Sequence, residues 1–327
     1  MFISVLLNGL EMAGREYDLI VIGELNVDLI LRGEDIVPEF GQKEKLVEEM
    51  ELVLGSSSAI FACGAAKLGL KTAFIGKLGE DDFGNLMLRT LKAAGVDVSF
   101  IIVDPAVKTG LSVNLVRAAD RAILTYLGSI SALRAEEVDL SALRRARHLH
   151  LSSYFMQEGL HEGLAEIFAS ARDAGLTTSF DTGWDPKERW DEDGAISRIL
   201  AHVNIFMPNE EEALAIAGAG SLKEAVERLS RQVEILAVKR GERGALLRRG
   251  GETWEQVAFP VEVVDAIGAG DSFNAGFLYG YLNGFSLEES LRIACACGAL
   301  STTKPGGTAG QPDFEELKKF LQRRNST

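Results

Sequence analysis

The run Asp18–Gly23 (DLIVIG) is short, continuously apolar and ends in glycine, the pattern of a strand buried on both faces of a parallel sheet. Ser56–Leu70 begins with Ser after Gly and continues in small apolar residues, which predicts a helix. TAFIGKLG then predicts a second buried strand and Asp82–Ala94 a second helix. After about residue 131 the alternation is regular. HLHLSS, TTSFD, VNIFMP, EILAVK and ALLRR read as strands, with helices between most of them. Asp271–Leu282, Leu287–Leu300 and Phe314–Arg323 read as closing helices. Strands alternating with helices predict an α/β fold, a doubly wound and mostly parallel sheet flanked by helices.

Two stretches break this rhythm. Residues 29–54 lack helical periodicity, and their part 45–54 reads as an exposed strand. Residues 98–127 hold three β-rich runs (SFIIV, TGLSVNLV, RAILTYL) with no helix between them. Together they predict a small separate sheet. The expectation is a single domain over 17–327, with the extra strands inserted at about 29–54 and 98–127. Residues 1–16 are expected to be a disordered or non-core extension. They carry a short apolar patch but no basic region or cleavage site of a signal peptide, and Met12 is a candidate start.

Charge narrows the partners. The 327 residues carry 34 Lys+Arg against 48 Asp+Glu, a net charge of −14. No basic run offers nucleic-acid phosphates a counterion-releasing face, so a nucleic-acid partner is excluded. A small anion held by local backbone donors is not. No apolar stretch reaches the roughly 18 residues of a membrane span, so no membrane partner is expected. Cys63, Cys295 and Cys297 are too few for a disulfide framework and read as buried thiols, which points to the cytoplasm.

The chemistry concentrates in VVDAIGAGDSFNAGF, residues 263–277. A strand end is followed by Gly268, Ala269 and Gly270, then by Asp271 at the start of a helix of small residues. Small residues let successive N–H groups point into one concavity, and at a helix N-terminus that concavity binds anions. A carboxylate there needs a purpose, and the natural one is a base that takes the proton of an acceptor hydroxyl. The alternative is a Gly-rich turn capped by Asp271. No GxxxxGK[ST], HExxH or GxSxG occurs, and GAGDSF does not complete GxGxxG. In open sheets ligands sit at the carboxyl ends of the strands, which draws attention to Asn26, Asp28, Ser152–Tyr154, Asp181, Asn209 and Asp265.

DAIGAGDSFNAG resembles the C-terminal signature of the ribokinase-like (PfkB) carbohydrate kinases. GSSSAIFACGAAKLGLKTAFIGKLGEDDFG (55–84) is similar to their N-terminal signature, GELNVDL (23–29) to their opening strand, PNEEE (208–212) to their NxxE element and KRGERG (239–244) to their nucleotide loop. The resemblance spans Asp18 to about Leu321. It implies a ribokinase-like fold with a small β-sheet lid and transfer of the ATP γ-phosphate to a hydroxyl of a small sugar or sugar acid. Asp271 would be the base, and the amides of Gly268, Ala269, Gly270 and Asp271 the anion hole. Asn209 and Glu212 would act through water on Mg²⁺ and phosphate, though an Asn cap with an acidic first turn explains them equally. Lys239, Gly241 and Gly244 would lie along ATP, with a surface strand-end lysine as the plainer alternative for Lys239. Asn26 and Asp28 would bond acceptor hydroxyls, unless they only form a strand-end turn, and Gly55 and Ser57 would continue that pocket. Many members hold a monovalent cation, here K⁺, whose positions fall on Asp265, Ile267, Ser301, Lys304, Gly306 and Gly310. The lid implies a homodimer.

Some positions depart from the pattern. Ser56 stands where the signature has glycine, and Ile60 where it has an Asn that contacts substrate. FDTGWDPKERW (180–190) resembles the Asp-Pro-Asn-x-Arg-x-x-Trp region of ketodeoxygluconate- and fructose-type members, with Gly183 and Trp184 inserted. Trp184 would stack on a ligand or pack the lid. The other readings in view are a nucleoside kinase of the same family and a catalytically silent sugar-binding or regulatory protein.

Overall fold

A computed structural model describes residues 15–117 and 120–324. Its main sheet has nine strands in the order β13-β12-β11-β10-β9-β8-β1-β4-β5. These are β1 (Tyr17–Ile22), β4 (Thr72–Gly79), β5 (Asp97–Asp104), β8 (Ala146–Leu151), β9 (Thr177–Phe180), β10 (Ile205–Phe206), β11 (Ile235–Lys239), β12 (Ala245–Arg249) and β13 (Glu252–Gln256). Strands β5 to β11 of this order pair in parallel, and β12 and β13 complete the edge antiparallel.

The apolar runs are continuous because both faces are covered. Ile20 and Ile22 join a core with Phe168, Phe180 and Phe206 on one face. Leu19 and Val21 join Phe61, Phe74 and Phe277 on the other. Small residues bring the second face's helices close. A Cβ at Gly276 would lie 2.8 Å from Cys297 Sγ, and one at Gly280 2.7 Å from Ser290 Oγ. The three cysteines are buried and free, and no described helix is long and apolar enough to cross a membrane.

A separate four-stranded sheet has the order β3-β2-β6-β7, from β2 (Asn26–Arg32), β3 (Glu49–Leu54), β6 (Gly110–Arg117) and β7 (Asp120–Tyr126). Two expectations are corrected here. The run at 98–104 does not join this sheet: β5 pairs in parallel with β4 of the main sheet, register Ile75↔Phe100. Its half-buried pattern suits an edge strand packed on one side. The small sheet also begins earlier than residue 29, at Asn26, so Asn26 and Asp28 belong to it and not to the end of the first main-sheet strand. Of the expected N-terminal extension, residues 1–14 lie outside the described residues. Arg15 is fastened to the body, its guanidinium donating to the Ala174 carbonyl at 2.7 Å.

Candidate active site

The chain leaves β1 toward β4 on one side and returns through β8 on the other, so the strand order reverses at β1, where open sheets open a crevice at their carboxyl ends. Glu24 follows β1, Ser153 follows β8, Asp181 follows β9, Asn209 follows β10, and Lys239 ends β11. All five line one polar cavity of about 900 Å³. Beside it runs a more apolar groove of about 540 Å³ lined by Phe259, Val263, Phe273, Cys295 and Ala299 among others. The two share Lys239, Gly241, Ala266, Ala269 and Gly270, whereas Asp271 faces the polar cavity alone.

The junction is the start of the helix Ala269–Leu282. Gly268 caps it at φ 72, a left-handed conformation that glycine adopts without cost. A side chain there would meet Gly307 Cα and Ile60 Cγ2 at 2.9 Å. Gly270 and Asp271 lie in the first turn, where a helix leaves its N–H groups without internal acceptors. The Ala269 N–H makes a long bond to the Ala266 carbonyl, 3.3 Å. Asp271 is therefore not the cap that the plainer reading expected. It is buried, and Ser57 hydrogen-bonds its carboxylate. Burial, then the negative charge of Asp181, hold its pKa well above the usual carboxylate range, with Lys239 opposing.

Lys239 is not a surface lysine. Its ammonium pairs with Asp181 Oδ2, which also accepts from Asn274 Nδ2 at 2.6 Å. Burial works against the charge of Lys239, but Asp181 and Glu212 outweigh it and raise its pKa. Asn209 and Glu212 form a reciprocal cap, each side chain accepting the other's N–H at 2.8 Å. Burial and then Asp181 push the Glu212 carboxyl up to about 7.

In the polar cavity, Asn26 Nδ2 donates to Asp28 Oδ1 at 3.1 Å, and burial pushes the Asp28 carboxyl up to about 6. Gly55 lies under this pair and not on the cavity wall: a Cβ there would be 2.2 Å from Asp28 Oδ1. Ser57 is on the wall. Ser56, at φ 71, sits in a positive-φ conformation that favours glycine and caps the next helix, its Oγ accepting from the Ala59 N–H at 2.9 Å. Ile60 is buried against Gly268 and Gly307, under the helix start. Trp184 is half exposed, edge-on to Trp190 at 5.0 Å, and borders the cavity. Gly241 and Gly244 line the apolar groove. At Gly244, φ 86, a Cβ would collide with the Gln256 carbonyl.

The positions expected around K⁺ do come together. The Asp265 and Val264 N–H groups bond the Thr302 carbonyl at 3.1 and 2.8 Å, and Gly310 packs on the Ser301 carbonyl. Lys304 is exposed. The one carboxylate is already engaged, however. Asp265 Oδ1 accepts from the Ile267 N–H at 2.9 Å, and Oδ2 from the Gly306 N–H at 3.0 Å and from Arg32 Nη2 at 2.8 Å. A guanidinium at the carboxylate does not fit a bound alkali cation there.

Residues 17–313 match the model of the pfkB family carbohydrate kinases. The chain belongs to that family. It is 32% identical over 305 residues to the ATP-dependent ribose-1-phosphate kinase of Halopiger xanaduensis, covering 92% of this chain and 97% of that one. It is 26% identical over 324 residues to the 5-dehydro-2-deoxygluconokinase of Shouchella clausii, covering 95% and 98%. A putative ribokinase II from E. coli, solved with ATP and Mg²⁺, superposes with a TM-score of 0.84 at 26% identity, covering 94% of this chain and 99% of that one. The chain is thus an ATP-dependent carbohydrate kinase with a ribokinase-like fold.

In this pfkB member the geometry adds residues that the motifs did not single out. Glu24 accepts from Ser58 Oγ at 2.5 Å and is pushed up to about 7 by burial. Asp181 pairs with Lys239 and accepts from Asn274, and Arg121 of β7 lines the cavity. The signal for Asp181 was its place directly after an apolar strand. Arg121 lay in a run that showed only strand character.

Proposed function

We propose that this kinase moves the γ-phosphate of ATP to a hydroxyl of a small sugar acid or phosphorylated sugar. The carrying observation is the helix start at the seam of the two cavities: Gly270 faces both, and Asp271 faces only the polar one. Adenosine fits the apolar groove beside Gly241 and Gly244, and the acceptor fits the polar cavity. The phosphates then meet the first-turn N–H groups of the helix Ala269–Leu282, which stabilise the charge of the transferring group. Asp271 accepts the proton of the attacking hydroxyl, with Ser57 and the Lys239 charge orienting it. Asn26 and Asp28 offer a donor and acceptors to acceptor hydroxyls.

The donor set fits Mg²⁺. Asp181, Glu212 and Asp271 are buried carboxylates, and the charge of Asp181 raises the pKa of the other two. Among the described residues no three carboxylate, imidazole or thiol groups converge to ligate an ion directly, so Asn209 and Glu212 act on the ion through water. The ion supplies charge neutralisation across the transferring phosphates.

Support for an anionic acceptor comes from Arg121 on the cavity wall and from relatives named for a gluconate derivative and for ribose 1-phosphate. The small sheet contributes Asn26, Asp28, Ser112, Arg121 and Thr125 to that wall and acts as a lid that excludes water during transfer. Its outer residues Met50, Leu52, Leu124 and Tyr126 are exposed, and we read this face as the seat of a second copy. An ATP-consumption assay over sugars, sugar acids, sugar phosphates and nucleosides tests the reading. Turnover confined to the anionic sugars is expected, and turnover on nucleosides alone overturns it.

A further inference from the structure

We infer that Arg32 of the small sheet takes the place of a bound alkali cation beside the anion-binding loop. Its guanidinium spans two elements far apart in sequence. Nη2 donates to Asp265 Oδ2 at 2.8 Å, and Nη1 to Glu51 Oε2 at 3.2 Å. Asp265 is nine-tenths buried, and its carboxylate is the anionic group of the loop that leads into Gly268. That carboxylate shapes the loop directly, through the Ile267 N–H on one oxygen and the Gly306 N–H on the other. It needs a positive counterpart, and Arg32 provides one that is always charged.

A metal ion and a guanidinium at one carboxylate would repel each other, and Arg32 has the advantage of being tethered. Its strand also carries Asn26 and Asp28. Acceptor contacts, loop charge and the small sheet are therefore joined in a single seven-residue strand. Arg32 is a positioning residue: it acts on the phosphoryl group through Asp265 and the backbone of residues 265–268. The inference rests on the kinase reading above, since it concerns the loop assigned to phosphate.

The test compares wild type, Arg32→Ala and Arg32→Lys in K⁺, Na⁺ or choline chloride at constant ionic strength. Initial rates are measured with ATP and the best acceptor, and thermal melting is measured alongside. Wild-type turnover should be the same within about twofold in all three salts. Arg32→Ala should lose about tenfold or more in kcat and regain much of it in K⁺ or added guanidinium. Arg32→Lys should keep most of its activity in every salt. K⁺ should raise the melting temperature of Arg32→Ala and leave that of wild type unchanged. A strict K⁺ requirement of the wild type overturns the inference, as does an Arg32→Ala loss that no cation restores. Absence of turnover on every acceptor sinks the kinase reading, while the melting comparison still decides on Arg32.

Discussion

The ammonium of Lys239 is buried against Asp181, on the same carboxylate oxygen that Asn274 Nδ2 reaches at 2.6 Å. The pair ties the end of β11 to the end of β9 and places one positive charge among Asp181, Glu212 and Asp271. Removing one partner of a buried pair leaves an uncompensated charge, at about 3–5 kcal/mol. Lys239→Met should therefore lower stability by that order. Lys239→Met combined with Asp181→Asn should be more stable than the single variant. Chemical denaturation of the double-mutant cycle checks this; additive losses would show that the two residues are uncoupled.

Asp271 sets the acid side of the pH profile. Burial, and then the charge of Asp181, keep its pKa well above the ordinary carboxylate range. A base must be ionised, so kcat/KM should fall as pH drops through a limb above that range. Asp181→Asn removes one of the raising charges and should move the limb to lower pH. A profile from the free enzyme that is flat down to the ordinary carboxylate range would contradict the assignment.

Glu24 should make the fold sensitive to alkali. Burial raises its carboxyl from 4.5 to about 7, so the native state favours the protonated form. The associated stability is present below pH 4.5 and is lost as pH rises through about 7. Glu24→Gln stays neutral, so its stability relative to wild type should grow between pH 5 and pH 8, by up to about 3 kcal/mol. Denaturation at the two pH values reads the difference directly.

Ser56 separates backbone strain from capping. Its Oγ accepts from the Ala59 N–H and donates to the Glu24 carbonyl at 2.7 Å, while its backbone sits at φ 71. Ser56→Ala keeps the strain and loses both bonds, at about 1–2 kcal/mol. Ser56→Gly loses the bonds but relieves the strain, and should be the more stable of the two by about 1 kcal/mol. Thermal unfolding ranks them, and the reverse order would mean that the turn carries no strain.

The main sheet was legible because its strands are apolar on both faces, and the helices because they begin at Ser, Asp or Gly and end near polar turns. SFIIV was misplaced because an edge strand, covered on one side, looks locally like the strands of a separate sheet. The helix start around Asp271 was readable from GAGDSF, since its geometry needs small residues in unbroken succession. Asp181 and Lys239 stood out singly, but the contacts that complete the site were not readable. Asp181, Lys239 and Asn274 meet across three separate elements, and Arg32 reaches Asp265 across 233 positions. No local pattern encodes such contacts. Ile60, a departure from the signature that pointed to the acceptor, does border the acceptor cavity, and its side chain also packs beneath Gly268 and Gly307.

The central claim is that Asp271 takes the proton of the acceptor hydroxyl at a helix start that holds the transferring phosphate. The most direct measurement is the turnover of Asp271→Asn with ATP and the wild-type acceptor, alongside its affinity for ATP. Loss of the base should lower kcat by about 10²–10⁴-fold while ATP binding stays close to that of the wild type. An Asp271→Asn enzyme that turns over at the wild-type rate would contradict the account.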